Sequence, residues 1–222
     1  MPNKIIVLEG LDASGKGTQT KLLSEKLTAD GYKYHSYDFP RYEKESSVPV
    51  RMYLDGKLGT HPEDTNAYAA SSFFAVDRYI SYRTEWGDFC KNGDIILLDR
   101  YTSANALHQL SKMPKENWKD FLDWLYDFEF TKLGLPKPAL TVFLDMHPDV
   151  AIKLMNMRTE TTGRKQDIHE LDHSHLYKSY DAAEFACEYL GWERIVCFEN
   201  GEPKPRDVIF KELYEKVEKV IK

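Results

Sequence analysis

Cysteine is scarce in this chain: Cys90, Cys187 and Cys197 are the three among 222 residues. An odd, widely spaced set writes neither a disulfide framework nor a CxxC metal site, and it implies three reduced, mostly buried thiols. Long apolar runs are missing as well. The longest clean ones are short, such as Ile5 to Leu8 and Ile95 to Leu98, far below the roughly 20 residues that span a bilayer, so no membrane partner is expected. The N-terminus lacks the basic flank and apolar stretch of a secretory signal, because Lys4 to Leu8 leads straight into a glycine loop; a cytoplasmic location follows. Positive charge is not in excess either. Thirty Lys and Arg against 36 Asp and Glu leave a net charge of −6, which disfavours nucleic acid as a partner, since that affinity rests on net phosphate neutralisation. Only 12 Gly and 10 Pro occur, and no repeat, low-complexity tract or Ser/Pro linker marks a domain boundary.

What is present is the alternation of short apolar runs with longer amphipathic stretches that predicts an α/β domain, a parallel sheet covered by helices. Lys4 to Glu9, Tyr34 to Phe39, Asp94 to Asp99, Ala139 to Asp145 and Arg194 to Phe198 read as five strands. Helices are expected over Gly15 to Ala29, Thr65 to Asn92, Lys115 to Leu133, Pro148 to Arg158, His173 to Leu190 and Arg206 to Ile221, with shorter pieces at Val48 to Asp55 and Ser103 to Leu110. Glu63 and Asp64 before Thr65, and Asp149 after Pro148, supply first-turn acids. The polar stretch Thr159 to Leu171 breaks the periodicity and reads as a surface loop or a lid. One domain spanning residues 1–222 is expected.

Gly10-Leu11-Asp12-Ala13-Ser14-Gly15-Lys16-Gly17-Thr18 lies between the first strand and the first helix, the context in which a glycine loop wraps phosphate oxygens with backbone N–H groups at a helix N-terminus. Gly10, Ala13, Ser14, Gly15, Lys16, Gly17 and Thr18 are the expected ATP-binding residues, with Lys16 carrying the charge. The hydroxyl that usually follows the lysine is displaced by one place, from Gly17 to Thr18. Thr18 and Asp99, the latter at the end of the third strand, are the candidates for the magnesium side, directly or through water. A GTPase is disfavoured because no NKxD-type tetrad for base recognition occurs.

Four further segments, in order, resemble the thymidylate kinases, the dTMP-phosphorylating branch of the nucleoside monophosphate kinases, along the chain from Lys4 to about Ile221. Phe39-Pro40-Arg41-Tyr42 is similar to the family's FPR segment, whose arginine grips the acceptor monophosphate; a planar guanidinium presents paired donors to phosphate. Phe74-Ala75-Val76-Asp77-Arg78 resembles the F-x-x-x-R segment that holds the base, and at i and i+4 Phe74 and Arg78 share a helix face. Asp99-Arg100-Tyr101, followed by Asn105, resembles the DRY segment: Arg100 would lie between donor and acceptor phosphates, while Asn105 presents an amide to the pyrimidine. Arg158 through Glu170 is similar to the basic lid, with Tyr177 and Tyr180 in the helix after it.

The resemblance implies a P-loop NTPase fold, a five-stranded parallel sheet flanked by helices with a short lid at about 159–171. It implies ATP and Mg2+ as cofactors and phosphoryl transfer to dTMP. Asp12 would hold the sugar 3′-hydroxyl or an adjacent arginine. Some members carry an arginine where this chain has Ala13, so Arg158, Arg164 and Lys165 become the candidate transition-state cations. His108 stands where many members place a larger ring near the deoxyribose C2′, which keeps dUMP or a broader pyrimidine set open as substrates. The substitutions at Ala13 and Gly17 keep a non-catalytic nucleotide-binding module open too. A zinc reading of His169, His173 and His175 finds no further ligand spaced to complete it. A homodimer is expected through the long third helix, whose aromatic residues Phe73, Tyr79, Tyr82 and Trp86 either serve as the interface or pack internally.

Overall fold

The computed structural model describes residues 4–162 and 173–222. Five short strands, β1 (Ile5–Glu9), β2 (Tyr34–Asp38), β3 (Ile95–Asp99), β4 (Leu140–Asp145) and β5 (Glu193–Val196), pair in parallel in the order β2-β3-β1-β4-β5. Parallel neighbours require long crossovers, and the chain supplies helices for them: α1 (Lys16–Ala29), α2 (Val48–Leu54), α3 (Ala67–Ser81), α4 (Gly87–Lys91), α5 (Thr102–His108), α6 (Trp118–Tyr126), α7 (Pro148–Thr162), α8 (His173–Leu190) and α9 (Arg206–Ile221).

Alternation along the strands divides the core. Ile6, Leu8, Leu97, Val142 and Leu144 face Leu23 and Leu27 of α1 and the Ile209, Leu213, Val217, Ile221 stripe of α9. Ile5, Val7, Ile96 and Leu98 face the other way, onto Trp86, Tyr101 and Phe130. A third cluster joins Ala106 of α5 and Phe121, Leu122 and Leu125 of α6 to Ala182 and Ala186 of α8. Asp38 stands opposite Asp99 at the carboxyl ends of β2 and β3, where open α/β sheets bind their ligands.

The elements expected from sequence are found, with informative differences at their ends. The long helix starts at Ala67 rather than Thr65, because Asn66 caps it by accepting the Ala69 N–H at 2.9 Å. It is interrupted by a π turn at Tyr82–Trp86, in which Gly87 N–H donates to the Tyr82 carbonyl; a Cβ at Gly87 would collide with that carbonyl. A second π turn, Asp127–Lys132, follows α6, with Leu133 N–H reaching Phe128 O at 2.9 Å. The fifth strand ends at Val196, so Phe198 belongs instead to a small hairpin of β6 (Phe198–Glu199) and β7 (Glu202–Pro203). Its turn is Asn200-Gly201, both at positive φ (51° and 76°), a two-residue hairpin turn that Asn-Gly favours. α7 runs on to Thr162, past the expected end at Arg158. The rest of the expected lid, from residue 163 on, lies outside the described residues. Trp86 is buried in the sheet's core with Tyr101, the internal one of its two expected readings, and Tyr79 and Tyr82 pack partly buried against the same cluster.

Candidate nucleotide and phosphate site

The loop between β1 and α1 is shaped by its small residues. A Cβ on Gly10 would approach Ser14 Oγ to 2.5 Å and the Leu144 carbonyl to 2.9 Å. Ala13 (φ 59°) and Gly15 (φ 90°) both sit in left-handed backbone, a costly conformation for alanine that recurs at ligand clamps. Lys16 opens α1 and folds back over the loop, its Nζ donating to Gly10 O at 2.7 Å and Leu11 O at 3.0 Å. Burial, and then the nearby Arg100 cation, lower the pKa of Lys16. Ser14 Oγ is buried with no partner among the described residues. The loop opens into a cavity of about 940 Å3 whose near wall is residues 12–18 with Asp38, Phe39, Asp99 and Arg100.

Arg100 is the junction of this wall. Its backbone turns left-handed (φ 67°) straight after β3, while its N–H donates to Leu8 O at 3.0 Å. That turn sends the guanidinium back across β1. Nη2 donates to Asp12 Oδ1 at 2.6 Å, and Nη1 meets His108 Nε2 at 3.0 Å and Glu9 Oε1 at 3.5 Å. A guanidinium only donates, so Nε2 of His108 accepts. Glu9 is fully buried, accepting from Gly10 N–H at 2.9 Å and Ser103 Oγ at 2.8 Å. Burial raises its carboxyl above the usual range in spite of Arg100 and Lys16.

The acceptor-side residues come from three separate stretches. Phe39 is buried against Tyr101, ring centres 6.1 Å apart, and Pro40 follows it through a cis peptide. Arg41 is held at its backbone by Asp77, whose carboxylate accepts the Arg41 N–H at 2.8 Å and the Ser46 hydroxyl at 2.5 Å. The Arg41 guanidinium pairs with Glu85 (Nη2–Oε2 2.7 Å, Nε–Oε1 3.4 Å) and with Asp38 (Nη1–Oδ1 2.9 Å). Phe74 is half-buried and edge-on to Tyr53, ring centres 6.3 Å apart. Arg78 is 1% exposed; Nε and Nη2 donate to Glu129 at 2.7 and 2.5 Å, and Nη1 donates to Tyr101 O at 3.3 Å. Two of its five N–H protons remain. Asn105 is buried, its Nδ2 donating to Ser71 O at 3.3 Å.

Comparison with known proteins decides what this arrangement belongs to. Residues 8–188 match the family model described as thymidylate kinase. The thymidylate kinase of Mycobacterium tuberculosis is 31% identical over 76% of this chain and 78% of its own length. The Caenorhabditis elegans thymidylate kinase is also 31% identical, over 66% of this chain and 65% of its own. The chain belongs to the thymidylate kinase family. The solved thymidylate kinase of Candida albicans shares its fold, with a TM-score of 0.71 over 98% of this chain and 92% of that one at 22% identity. The P-loop NTPase fold expected from sequence is thereby found.

Of the residues expected on the acceptor side, Asp12, Phe39 and Arg100 line this cavity, while Arg41, Phe74, Arg78, Asn105 and His108 do not, and neither do Tyr101 and Tyr177. Tyr101 is fully buried, its hydroxyl donating to Pro136 O at 3.2 Å, so its ring is core rather than a ligand contact. Tyr177 is exposed on α8 with its hydroxyl on Asp149 and does not line the cavity, because that helix turns it outward. The Arg158 side chain, Arg164 and Lys165 lie outside the described residues. Other residues enter that sequence reading did not assign. Met146, Leu154, Pro203, Lys204 and Arg206 form the far wall of the cavity; the Asn200-Gly201 dipeptide was the one legible sign that the chain turns back there. Asp38 becomes a strand-end carboxylate because β2 stops there, one residue before the expected end at Phe39. Glu85 and Glu129 had no signal, since both are delivered by π turns.

Proposed function

We propose that this member of the family transfers the γ-phosphoryl group of ATP to the 5′-phosphate of dTMP, giving dTDP and ADP. The observation that carries this reading is that Lys16, Asp99, Arg100 and the phosphate loop face one cavity, with the Arg41 guanidinium tied to Asp38 on its rim. A phosphate oxygen is already a competent nucleophile, so the chain has to align two anions and neutralise their charge rather than supply a strong base. The loop N–H groups and Lys16 hold the donor phosphates. Arg100, fixed by Asp12, lies between donor and acceptor, and Arg41 grips the acceptor phosphate. Phe74 stacks on the pyrimidine, Asn105 addresses its edge, and Arg78 donates to a base carbonyl with a proton that Glu129 and Tyr101 leave over. Arg158, Arg164 and Lys165 add positive charge from the lid, and closure excludes water.

The Thr18 hydroxyl, the Asp99 carboxylate and the neighbouring Asp38 are hard oxygen donors at the cavity wall. That donor set suits Mg2+, which takes few protein carboxylates and completes its shell with phosphates and water. When bound, the ion neutralises charge on the phosphate oxygens.

We assign the homodimer contact to the exposed apolar side chains of two helices that touch, Val76 and Ile80 on α3 and Val48 and Met52 on α2; sedimentation at micromolar concentration, on wild type and on Ile80→Glu, tests it. An ADP-release assay with MgATP and dTMP, dUMP, UMP, dCMP, AMP and thymidine, beside Lys16→Ala, tests the activity. Preferred turnover of dTMP with a dead control is expected. Comparable UMP turnover would instead favour a broader pyrimidine kinase, the second reading, which rests on His108.

A further inference from the structure

Both acceptor-side arginines are held by a glutamate, and both glutamates come from π turns. Glu85 lies in the π turn Tyr82–Trp86 and Glu129 in the π turn Asp127–Lys132. A π turn inserts one residue into a helical register, which re-aims the side chains that follow it. The contact is also made the same way twice. Glu85 takes the Nε and Nη2 edge of Arg41, and Glu129 takes the Nε and Nη2 edge of Arg78. In each case Nη1 is left to point elsewhere. For Arg41 it points to Asp38, which lines the phosphate cavity.

We propose that Glu85 is a positioning residue for the acceptor-phosphate clamp. It fixes the Nε edge of Arg41 from behind and leaves the Nη1 end on Asp38, a residue of the cavity wall, whose exposed carboxylate yields to the acceptor phosphate. The contact is only partly screened: the Arg41 and Glu85 side chains are 17% and 20% exposed. Burial alone would raise the Glu85 carboxyl, but the hydrogen bond and charge of Arg41 outweigh it and hold it below the usual range. Lys44 Nζ, at 4.0 Å, is a second and longer ion-pair partner of Glu85. With the backbone pinned by Asp77 and the guanidinium edge pinned by Glu85, the clamp is ordered before substrate arrives, which lowers the entropy cost of binding.

This inference rests on the reading of Arg41 as the acceptor clamp, and a double-mutant cycle separates the two. Steady-state kinetics for dTMP and ATP would be measured on the full chain as wild type, Glu85→Gln, Arg41→Met and the double variant. Glu85→Gln keeps the shape and removes the charge, and it is expected to raise the KM for dTMP about 5- to 10-fold, the scale of one net hydrogen bond, with the ATP KM changed less than twofold. The double variant should be no worse than Arg41→Met alone, since a residue acting only through Arg41 has nothing left to do. An unchanged or lowered dTMP KM in Glu85→Gln beside a raised one in Arg41→Met would overturn the positioning role alone. Additive effects in the double variant would do the same. An Arg41→Met chain with an unchanged dTMP KM would sink the clamp reading and the inference with it. Should Glu85→Gln fold poorly, Glu85→Asp, whose shorter chain withdraws the carboxylate from Arg41, serves in its place with the same expectations.

Discussion

The donor half and the acceptor half of the site are built in opposite ways. The donor half is nine consecutive residues, Gly10 to Thr18, shaped by backbone: a glycine packed on the Leu144 carbonyl, two left-handed residues and a lysine bonded to two loop carbonyls. The acceptor half is side chains from α3, α5 and the stretch after β2, each arginine held by a glutamate from another element: Arg41 by Glu85 and Arg78 by Glu129, while Arg100, after β3 and held by Asp12, joins the two halves. A backbone cradle needs only local sequence and recognises any polyphosphate. A clamp of ion pairs needs the tertiary fold, and it can be tuned to one acceptor.

Breaking each half should therefore look different. Lys16→Ala removes the donor-side charge while leaving the core untouched, and turnover should fall about 10²- to 10³-fold, the scale of losing one stabiliser of transition-state charge. ADP release measures it, and a thermal midpoint close to wild type would confirm that the loss is chemical. Glu129→Ala strikes the acceptor half through stability. It leaves Arg78 buried without its partner, so the fold should lose about 3–5 kcal/mol, and calorimetry should show the midpoint lower by about 6–20 °C. A change below about 1 kcal/mol would mean that water or another group reaches Arg78.

The junction between the halves gives a smaller effect. Asp12→Asn keeps the shape of the loop but weakens the 2.6 Å contact to Arg100. A charge-assisted hydrogen bond of about 1.5 kcal/mol corresponds to roughly tenfold in kcat/KM for dTMP. Loss confined to the ATP KM would place Asp12 wholly on the donor side. The smallest effect concerns the thiols outside both halves. Burial pushes Cys187 up to about 11 and Cys197 up to about 12, and it raises Cys90 as well, though Cys90 is only half-buried. A raised pKa leaves less thiolate at pH 8, and the thiolate is what alkylates. Iodoacetamide at pH 8 should therefore label Cys90 first, and all three only after unfolding, as mass spectrometry would read directly.

Much of this arrangement was legible beforehand where the cause is local. Short apolar runs and amphipathic stretches of period 3.6 located five strands and the main helices, and glycine spacing located the phosphate loop. Misplaced ends trace to short-range interactions: Asn66 caps the helix and so excludes Thr65 from it, because its side chain accepts the Ala69 N–H, and Asn200-Gly201 draws Phe198 into a hairpin. Motif matching also named Arg41, Arg78 and Arg100, but not the carboxylates that hold them.

The sequence by itself determined the sheet, its helical cover and the donor loop, because those follow from periodicity and from residues adjacent along the chain. Only the tertiary structure decided that Glu85 and Glu129 meet Arg41 and Arg78, that Tyr101 is core while Tyr177 faces out, and that Pro203 to Arg206 close the far wall. Each of these depends on a helical register shifted by one residue or on elements brought together from far along the chain. No pattern of nearby residues records such a shift, since its reason is a collision or a partner that exists only once the chain has folded.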